Sequence, residues 1–376
     1  MPADTFTDMS FSSTAGGWGG KSAFMMHGMK KGSETGKRID AKELRCQKRE
    51  MLQDIIPLPV PFVVYIEPTN LCNFCCSFCP TGDKELLTRV HRPAGSMDLD
   101  LFRKIVDDLK AFDVKLRLAS LYKDGEPLLH KQFPEMVQYI KQADVAERIW
   151  TKTNGSLLRP ELNERLIAAG LDMICISVDG LSAEGYKRIT GVAVDYHAFK
   201  ANVRDLHARR GNCEIYIKIA DYGLTPEDVA QFYADFQPFS TYISVEKLMG
   251  WSYSSLKDFT LGTNPDTYDG LPLTSKDVCP YPFYVMAVNF NGTVSLCGND
   301  WSHSTIVGDV TRDSLQSIWN GERMFQFRSM MLEGRRRENR ACGDCYYLKI
   351  VPDNIDEHRT RILENLFRKR SAGREG

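Results

Sequence analysis

Four cysteines fall between residues 72 and 79 of this 376-residue chain: Cys72, Cys75, Cys76 and Cys79. They follow an apolar, β-branched run, and residues 62–80 read FVVYIEPTNLCNFCCSFCP. Cys72, Cys76 and Cys79 have the spacing CxxxCxxC. Thiolates are soft ligands for iron–sulfur clusters and zinc, and three on one loop can hold three irons of a [4Fe–4S] cube and leave the fourth open to a substrate or cofactor. Cys75 keeps other ligand sets open, since Cys72 with Cys75 or Cys76 with Cys79 is also a CxxC pair. A tetrahedral zinc site, however, usually joins such a pair to a second CxxC or a His pair. The first downstream histidine is His91.

A second group has different spacing. Cys279 and Cys297 flank a predicted β-hairpin, and Cys342 and Cys345 form a CxxC beyond the helical stretch 315–332. Four thiolates converging there fit either structural zinc or a fully ligated iron–sulfur cluster. Cys46, Cys175 and Cys213 stand alone on predicted helix or strand segments and read as packing thiols.

The chain is 43% hydrophobic and 26% charged with a formal net charge of −1. It can bury a large core and carries no electrostatic case for nucleic acid. The basic run Arg335, Arg336 and Arg337 reads as a solvated loop. No apolar run approaches the ~20 residues of a membrane span, and no signal peptide is evident, so a cytoplasmic location with no membrane partner is expected. Eleven cysteines, clustered in a reducing compartment, point to metal ligation rather than disulfides.

These residues must be positioned by the elements between them. Residues 1–40, rich in Gly, Ser, Met and Lys, read as disordered, and 41–61 as a charged helix over 40–54 plus a linker through Pro57, Pro59 and Pro61. Over 62–255, six apolar strands alternate with helices. After the strand at 62 come strands at 115–120, 149–153, 173–178, 214–219 and 242–247, with helices over 101–112, 132–142, 160–169, 183–190, 198–209 and 226–236. This rhythm predicts an α/β fold of parallel βαβ units with right-handed crossovers. A Gly/Pro/Thr/Asp-rich linker over 256–275 leads to a compact unit over 276–350. In it, strands 284–290 and 293–296 meet at Asn291-Gly292, predicting a two-residue primed turn. A helix over 315–332 follows, and 351–376 is a charged helix over 356–370 plus a tail.

The strand-plus-CxxxCxxC arrangement resembles the radical S-adenosylmethionine (radical SAM) superfamily, and further motifs follow in order. Asp124-Gly125-Glu126-Pro127 resembles the family's GGE-type motif, with Asp124 in place of the first glycine. Thr153-Asn154-Gly155 ends the third strand, and Ser177-Val178-Asp179-Gly180 is similar to the strand end that meets the ribose. All lie at carboxyl ends of predicted parallel strands, where α/β folds bind ligands. The resemblance covers residues 61–252. It implies a partial (β/α)6 TIM-type barrel, S-adenosylmethionine contacts at Phe78, Gly125, Glu126, Asn154, Ser177 and Asp179, and a [4Fe–4S] cluster on Cys72, Cys76 and Cys79, with Cys75 a bystander. The C-terminal part resembles the SPASM and twitch extensions of that superfamily: Cys279 to Cys297 fits C-x12-G-x4-C with Gly292 at the turn, and residues 307–324, VGDVTRDSLQSIWNGERM, look like the linker that follows. No cysteine follows Cys345, so the resemblance is to the twitch-like form with one auxiliary [4Fe–4S] cluster on Cys279, Cys297, Cys342 and Cys345.

The implied activity is reductive cleavage of S-adenosylmethionine to a 5′-deoxyadenosyl radical that abstracts a substrate hydrogen, with an electron donor such as flavodoxin or ferredoxin as partner. An auxiliary cluster suits oxidation of a small polar metabolite, a sugar, cyclitol or aminoglycoside-like alcohol. Lys123, Lys152, Lys218, Glu246 and Lys247 at strand ends are candidates to line the site, Lys218 and Glu246 among them as possible proton acceptors. Redox-neutral epimerisation is the alternative and requires a hydrogen-donating thiol, Cys213 or Cys175. Peptide modification is a third reading, and a zinc-stabilised binding protein without catalysis is the reading from another class.

Overall fold

The computed structural model describes residues 36–38, 51–262, 266, 272–351 and 353–372. Its ten strands are β1 (Lys37–Arg38), β2 (Val63–Ile66), β3 (Leu118–Ser120), β4 (Ile149–Thr153), β5 (Met173–Val178), β6 (Glu214–Ala220), β7 (Tyr242–Glu246), β8 (Val285–Val288), β9 (Thr293–Ser295) and β10 (Ile306–Asp309). They form one sheet in the order β1-β7-β6-β5-β4-β3-β2-β8-β9-β10. Pairing from β1 through β8 is parallel, and only β8/β9 and β9/β10 are antiparallel. The six strands β2 to β7 are the expected partial (β/α)6 barrel. It does not close on itself: β1 takes the free edge of β7, and β8 takes the free edge of β2.

The sheet is covered because its crossover helices each present one apolar stripe. In the helix Leu99–Leu109 the buried residues are Phe102, Ile105, Val106 and Leu109, and in Phe133–Ala143 they include Phe133, Met136, Val137 and Ile140. Both sets repeat at i, i+3, i+4 and i+7, the period of one helical face. Asp98, Ser182, Asp195 and Thr225 cap the helices that follow them, Thr225 in a reciprocal capping box with Asp228. Strand β5, with every residue but Ser177 buried, has the continuous apolar run of a parallel strand covered on both faces.

Three expectations change, and a fourth lies almost wholly outside the described residues. Residues 36–38, placed in a disordered segment, include β1, which pairs with β7; the rest of 1–40 lies outside the described residues. The helix expected over 40–54 also lies outside them, save its end, where Leu52–Ile55 forms one turn. The helix expected over 315–332 is two, Leu315–Trp319 and Glu322–Leu332, because the first closes at Asn320 and Gly321 starts the second in extended geometry. The hairpin at Asn291-Gly292 is not a primed two-residue turn. Gly292 N–H donates to the Asn289 carbonyl (2.9 Å) and Asn289 N–H to that of Thr293 (2.8 Å). With positive φ at Gly292, 88°, and not at Asn291, this is a three-residue loop closed by a left-handed glycine.

Trp319 locks the C-terminal helices onto the barrel. Fully buried, it donates from Nε1 to the Leu58 carbonyl (3.2 Å). The Arg328 guanidinium lies 4.0 Å from its ring centroid and reaches the Pro282 carbonyl at 2.9 Å. Trp319→Ala leaves a cavity and a displaced cation, and is expected to cost about 3–5 kcal/mol, read as a lower Tm on thermal unfolding of the iron-loaded protein.

Candidate active site

At the carboxyl ends of the parallel strands lies a cavity of about 320 Å³, within the range of small-ligand sites. Cys72, Cys76 and Cys79 line one rim. Gly125, Glu126, Lys152, Thr153, Asn154, Ser177, Asp179, Lys218, Glu246 and Lys247 come from the ends of successive strands, and Lys123 and Asp124 complete that wall. The opposite rim belongs to the C-terminal region: Tyr281, Gly298, Asn299 and Tyr347, together with Trp251. Every S-adenosylmethionine contact expected from sequence, Phe78 included, therefore lines one cavity.

The loop bearing the three thiols is held by backbone rather than by side-chain bulk. Its approach is pinned where Asn70 Oδ1 accepts from Gly95 N–H (3.0 Å), Asn70 Nδ2 donates to the Pro93 carbonyl (2.9 Å) and the Thr69 hydroxyl donates to the Gly95 carbonyl (2.9 Å). Glycines press on it from two sides. A Cβ on Gly125 would lie 2.5 Å from the Leu71 carbonyl oxygen, and one on Gly82 would lie 2.6 Å from that of Cys76. Gly125 also has φ +77°, a conformation glycine adopts without strain. Cys75 is exposed, does not line the cavity, and ties its backbone N–H to the Thr190 carbonyl (2.8 Å).

Burial pushes the Cys72 thiol up to about 12, and Cys76 and Cys79 also upward, with Cys76 facing both of the others. Without a cation among them these thiols stay protonated, which is the donor chemistry of a metal site that releases protons on loading. The Glu126 carboxylate accepts from Leu128 N–H (2.9 Å), the Thr153 hydroxyl (2.6 Å) and Asn154 N–H (2.7 Å). Burial nevertheless raises its pKa to about 7, and that of Asp179 to about 7 likewise. In the lining, Lys218 Nζ donates to Glu246 at 2.5 Å and Lys152 Nζ stands 5.0 Å from the Tyr122 ring centroid; the Tyr216 hydroxyl, outside the lining, also donates to Glu246 at 2.5 Å.

Cys279, Cys297, Cys342 and Cys345 line a separate enclosed space with Pro282, Leu296, Met331 and Leu348. Burial again raises the thiol pKa values, that of Cys279 to about 12. Arg336 donates to the Cys342 carbonyl and to that of Gly343 at 3.1 Å, and Asn339 caps the Cys342 turn. None of these thiols opens into the first cavity, although Gly298 and Asn299, next to Cys297, do. The donor set fits a fully ligated group shut away from substrate.

The structure separates the two thiols proposed as hydrogen donors. Cys213 lies before β6, beside Asp172, Glu214 and Arg148, at the opposite end of the barrel from the cavity. Cys175 is fully buried in β5, beneath Lys152, Lys218 and Glu246, and does not line the cavity. Sequence reasoning missed Gly82, which leaves room for the Cys76 carbonyl, Asn70, whose side-chain amide bonds the Gly95 and Pro93 backbone, and the aromatic wall of Tyr65, Tyr122, Tyr281 and Tyr347. The wall had a faint signal in Tyr65, which alternates with Val64 and Ile66 toward the barrel interior.

The model of the radical SAM superfamily matches residues 66–236, and that of SPASM, an iron–sulfur cluster-binding domain, matches residues 279–346. The chain carries a radical SAM domain followed by a SPASM domain. As an enzyme with these domains it uses S-adenosylmethionine and a [4Fe–4S] cluster, with iron–sulfur rather than zinc chemistry in the C-terminal domain. It is 26% identical to the tungsten-containing aldehyde ferredoxin oxidoreductase cofactor-modifying protein of Pyrococcus furiosus, over 75% of this chain and 86% of the relative. It is 22% identical to the S-adenosyl-L-methionine-dependent 2-deoxy-scyllo-inosamine dehydrogenase of Niallia circulans, over 75% of this chain and 92% of the relative. Its fold is similar to that of BtrN in complex with AdoMet and 2-DOIA, with a TM-score of 0.52 and 17% identity over 76% of this chain and 93% of that one. It is also similar to Streptococcus suis SuiB bound to precursor peptide SuiA, with a TM-score of 0.54 and 13% identity over 81% and 73%.

Two substitutions test the loop. Cys75→Ser is expected to keep the full iron content of anaerobically reconstituted protein, whereas Cys76→Ser loses the iron of one site. Gly125→Ala, which drives a methyl into the Leu71 carbonyl, is expected to lose that same iron while the C-terminal site stays loaded, read by iron analysis and electron paramagnetic resonance.

Proposed function

We propose that this enzyme oxidises a secondary alcohol of a small polyhydroxylated metabolite, a cyclitol, sugar or aminocyclitol, to a ketone. The observation that carries this is the Lys218–Glu246 pair lining one cavity, with Tyr216 bonded to Glu246 from outside the lining, three thiols on one rim and, on the other, the wall that backs onto the four-thiol site. Cys72, Cys76 and Cys79 would hold the cluster that binds S-adenosylmethionine, and Cys279, Cys297, Cys342 and Cys345 one auxiliary [4Fe–4S] cluster. When bound, these groups supply a 5′-deoxyadenosyl radical able to take a hydrogen atom and an acceptor for one electron.

The residues then divide the work. Glu126, fixed by Thr153, Asn154 and Leu128, presents a carboxylate edge to an amino group, and Asn154 and Asp179 face a ribose. Phe78 walls the adenine side; its carbonyl is gripped by Trp251 Nε1 (3.1 Å). Glu246 accepts the hydroxyl proton of the substrate, and Lys218 and Tyr216 hold its oxygens in place. Two-electron oxidation of an alcohol requires the loss of one C–H hydrogen atom, one O–H proton and one electron. The carboxylate takes the proton, and the aromatic wall of Tyr65, Tyr281 and Tyr347 stands between the carbinol carbon and the four-thiol site.

The dehydrogenase relative acts, by its name, on an aminocyclitol, which agrees with this reading. Among the described residues, no cysteine other than the three rim thiols lines the cavity, which weighs against epimerisation through a returning thiol hydrogen.

Anaerobic turnover with cyclitols and aminocyclitols deuterated at the carbinol carbon is expected to place deuterium in 5′-deoxyadenosine and to yield the matching ketone. Deuterium transfer without any two-electron-oxidised product would overturn the proposal. Glu246→Gln is expected to lower kcat for ketone formation by about 10²–10⁴-fold, with the affinity for S-adenosylmethionine unchanged by equilibrium binding.

A further inference from the structure

Buried polar residues lead from one thiol site toward the other. Thr81 lies beside the Cys79 thiol, where its backbone and hydroxyl favour the thiolate. Arg92 Nη1 donates to the Thr81 hydroxyl oxygen (3.2 Å), and Arg92 Nη2 lies 3.8 Å from Asp124 Oδ2. Lys123 Nζ donates to the same Asp124 oxygen at 2.7 Å and to the Asp300 carbonyl at 2.9 Å. Asp300 N–H in turn meets the Cys297 carbonyl at 3.4 Å.

These charges are shut off from water. Side-chain exposure is 1% for Arg92, 1% for Asp124 and 0% for both Lys123 and Glu67. Glu67, Asp124 and His303 bring carboxylate oxygens and a ring nitrogen within 4.8 Å of one another, but the cation in their midst is Lys123, 3.9 Å from Glu67 as well. A charge pair in such a setting is weakly screened, so its field reaches whatever lies at its two ends. The pair also has a direction. Asp124 is the member turned toward Cys79 through Arg92 and Thr81, and Lys123 is the member bonded to the loop that carries Cys297.

We propose that Lys123 and Asp124 are positioning residues whose buried ion pair offsets the reduction potentials of the two iron–sulfur sites. A negative charge beside a cluster disfavours its reduced form, and a positive charge favours it. Asp124 therefore lowers the potential at Cys72, Cys76 and Cys79, and Lys123 raises it at the four-thiol site. The offset makes passage of an electron from the cavity to the auxiliary site downhill. The inference goes beyond alcohol oxidation and stands without it, because its test contains no substrate.

The test is a redox titration of the iron-loaded enzyme followed by electron paramagnetic resonance, the first site being the one whose signal changes on adding S-adenosylmethionine. Asp124→Asn is expected to raise the first site's potential, and Lys123→Gln to lower that of the auxiliary site. Each shift should change the reduced-to-oxidised ratio at least tenfold, about 59 mV for one electron, with iron content unchanged. Lys123→Arg, which keeps the charge, is expected to restore the auxiliary potential. If Lys123→Gln fails to fold, the uncharged double variant Lys123→Gln/Asp124→Asn is expected to narrow the gap between the two potentials. Potentials that do not move, or that move in one common direction in both single variants, would overturn the proposal. A failed ketone assay would leave these readings untouched, so the two proposals fail separately.

Discussion

Everything in this molecule that bears on chemistry hangs from the pairing of β2. One edge of this four-residue strand pairs with β3 and so belongs to the barrel; the other pairs in parallel with β8, the first strand of the C-terminal hairpin, from Val63↔Val285 to Ile66↔Val288. Its carboxyl end runs into the cysteine loop. The thiols at 72, 76 and 79 and those at 279 and 297 are thus referred to one strand. A slip of one residue in that register would turn every side chain of β2 to the other face, taking Tyr65 out of the wall between the sites. The hairpin unit is therefore built into the barrel's own sheet.

Around that strand the site is made costly to leave empty. The three thiols of the cavity and the four of the separate site sit where burial keeps them protonated, and the carboxylates of Glu126 and Asp179 are desolvated to near-neutral pKa values. Such groups are stabilised only when cations arrive, which couples metal loading to the final stability of the loop. Asp124 shows the opposite balance. Burial alone would raise its pKa, but Lys123 and Arg92 hold it below the usual carboxylate range. His303, facing the same two cations, is pushed down to about 3 by burial first and by those charges second, so it enters the cluster as a neutral ring.

Much of this was legible in the chain. Six apolar strands alternating with amphipathic helices specify a parallel α/β sheet because both periodicities are local, and the glycine-bearing strand ends fall on one rim because parallel strands share a direction. The hairpin was legible from its turn residues, although its turn class was not. Asn291 stays at negative φ, and a three-residue loop absorbs the twist. The break at Asn320-Gly321 leaves little mark in the sequence because apolar residues continue beyond it at Met324, Phe325 and Phe327.

What the sequence determined by itself was the chemistry: which thiols form two groups, that a CxxxCxxC loop follows a strand, and that polar strand ends lie opposite it. Only the tertiary structure decided which thiols work together and which stand apart. Cys213 and Cys175 are equally plausible donors along the chain, yet one lies at the wrong end of the barrel and the other beneath its floor. The contacts that set Gly125 against Leu71 and that bond Lys123 to the Asp300 carbonyl join residues far apart in sequence. Local spacing carries no trace of them, because close backbone approach and exclusion of water are properties of the packed sheet and not of any segment.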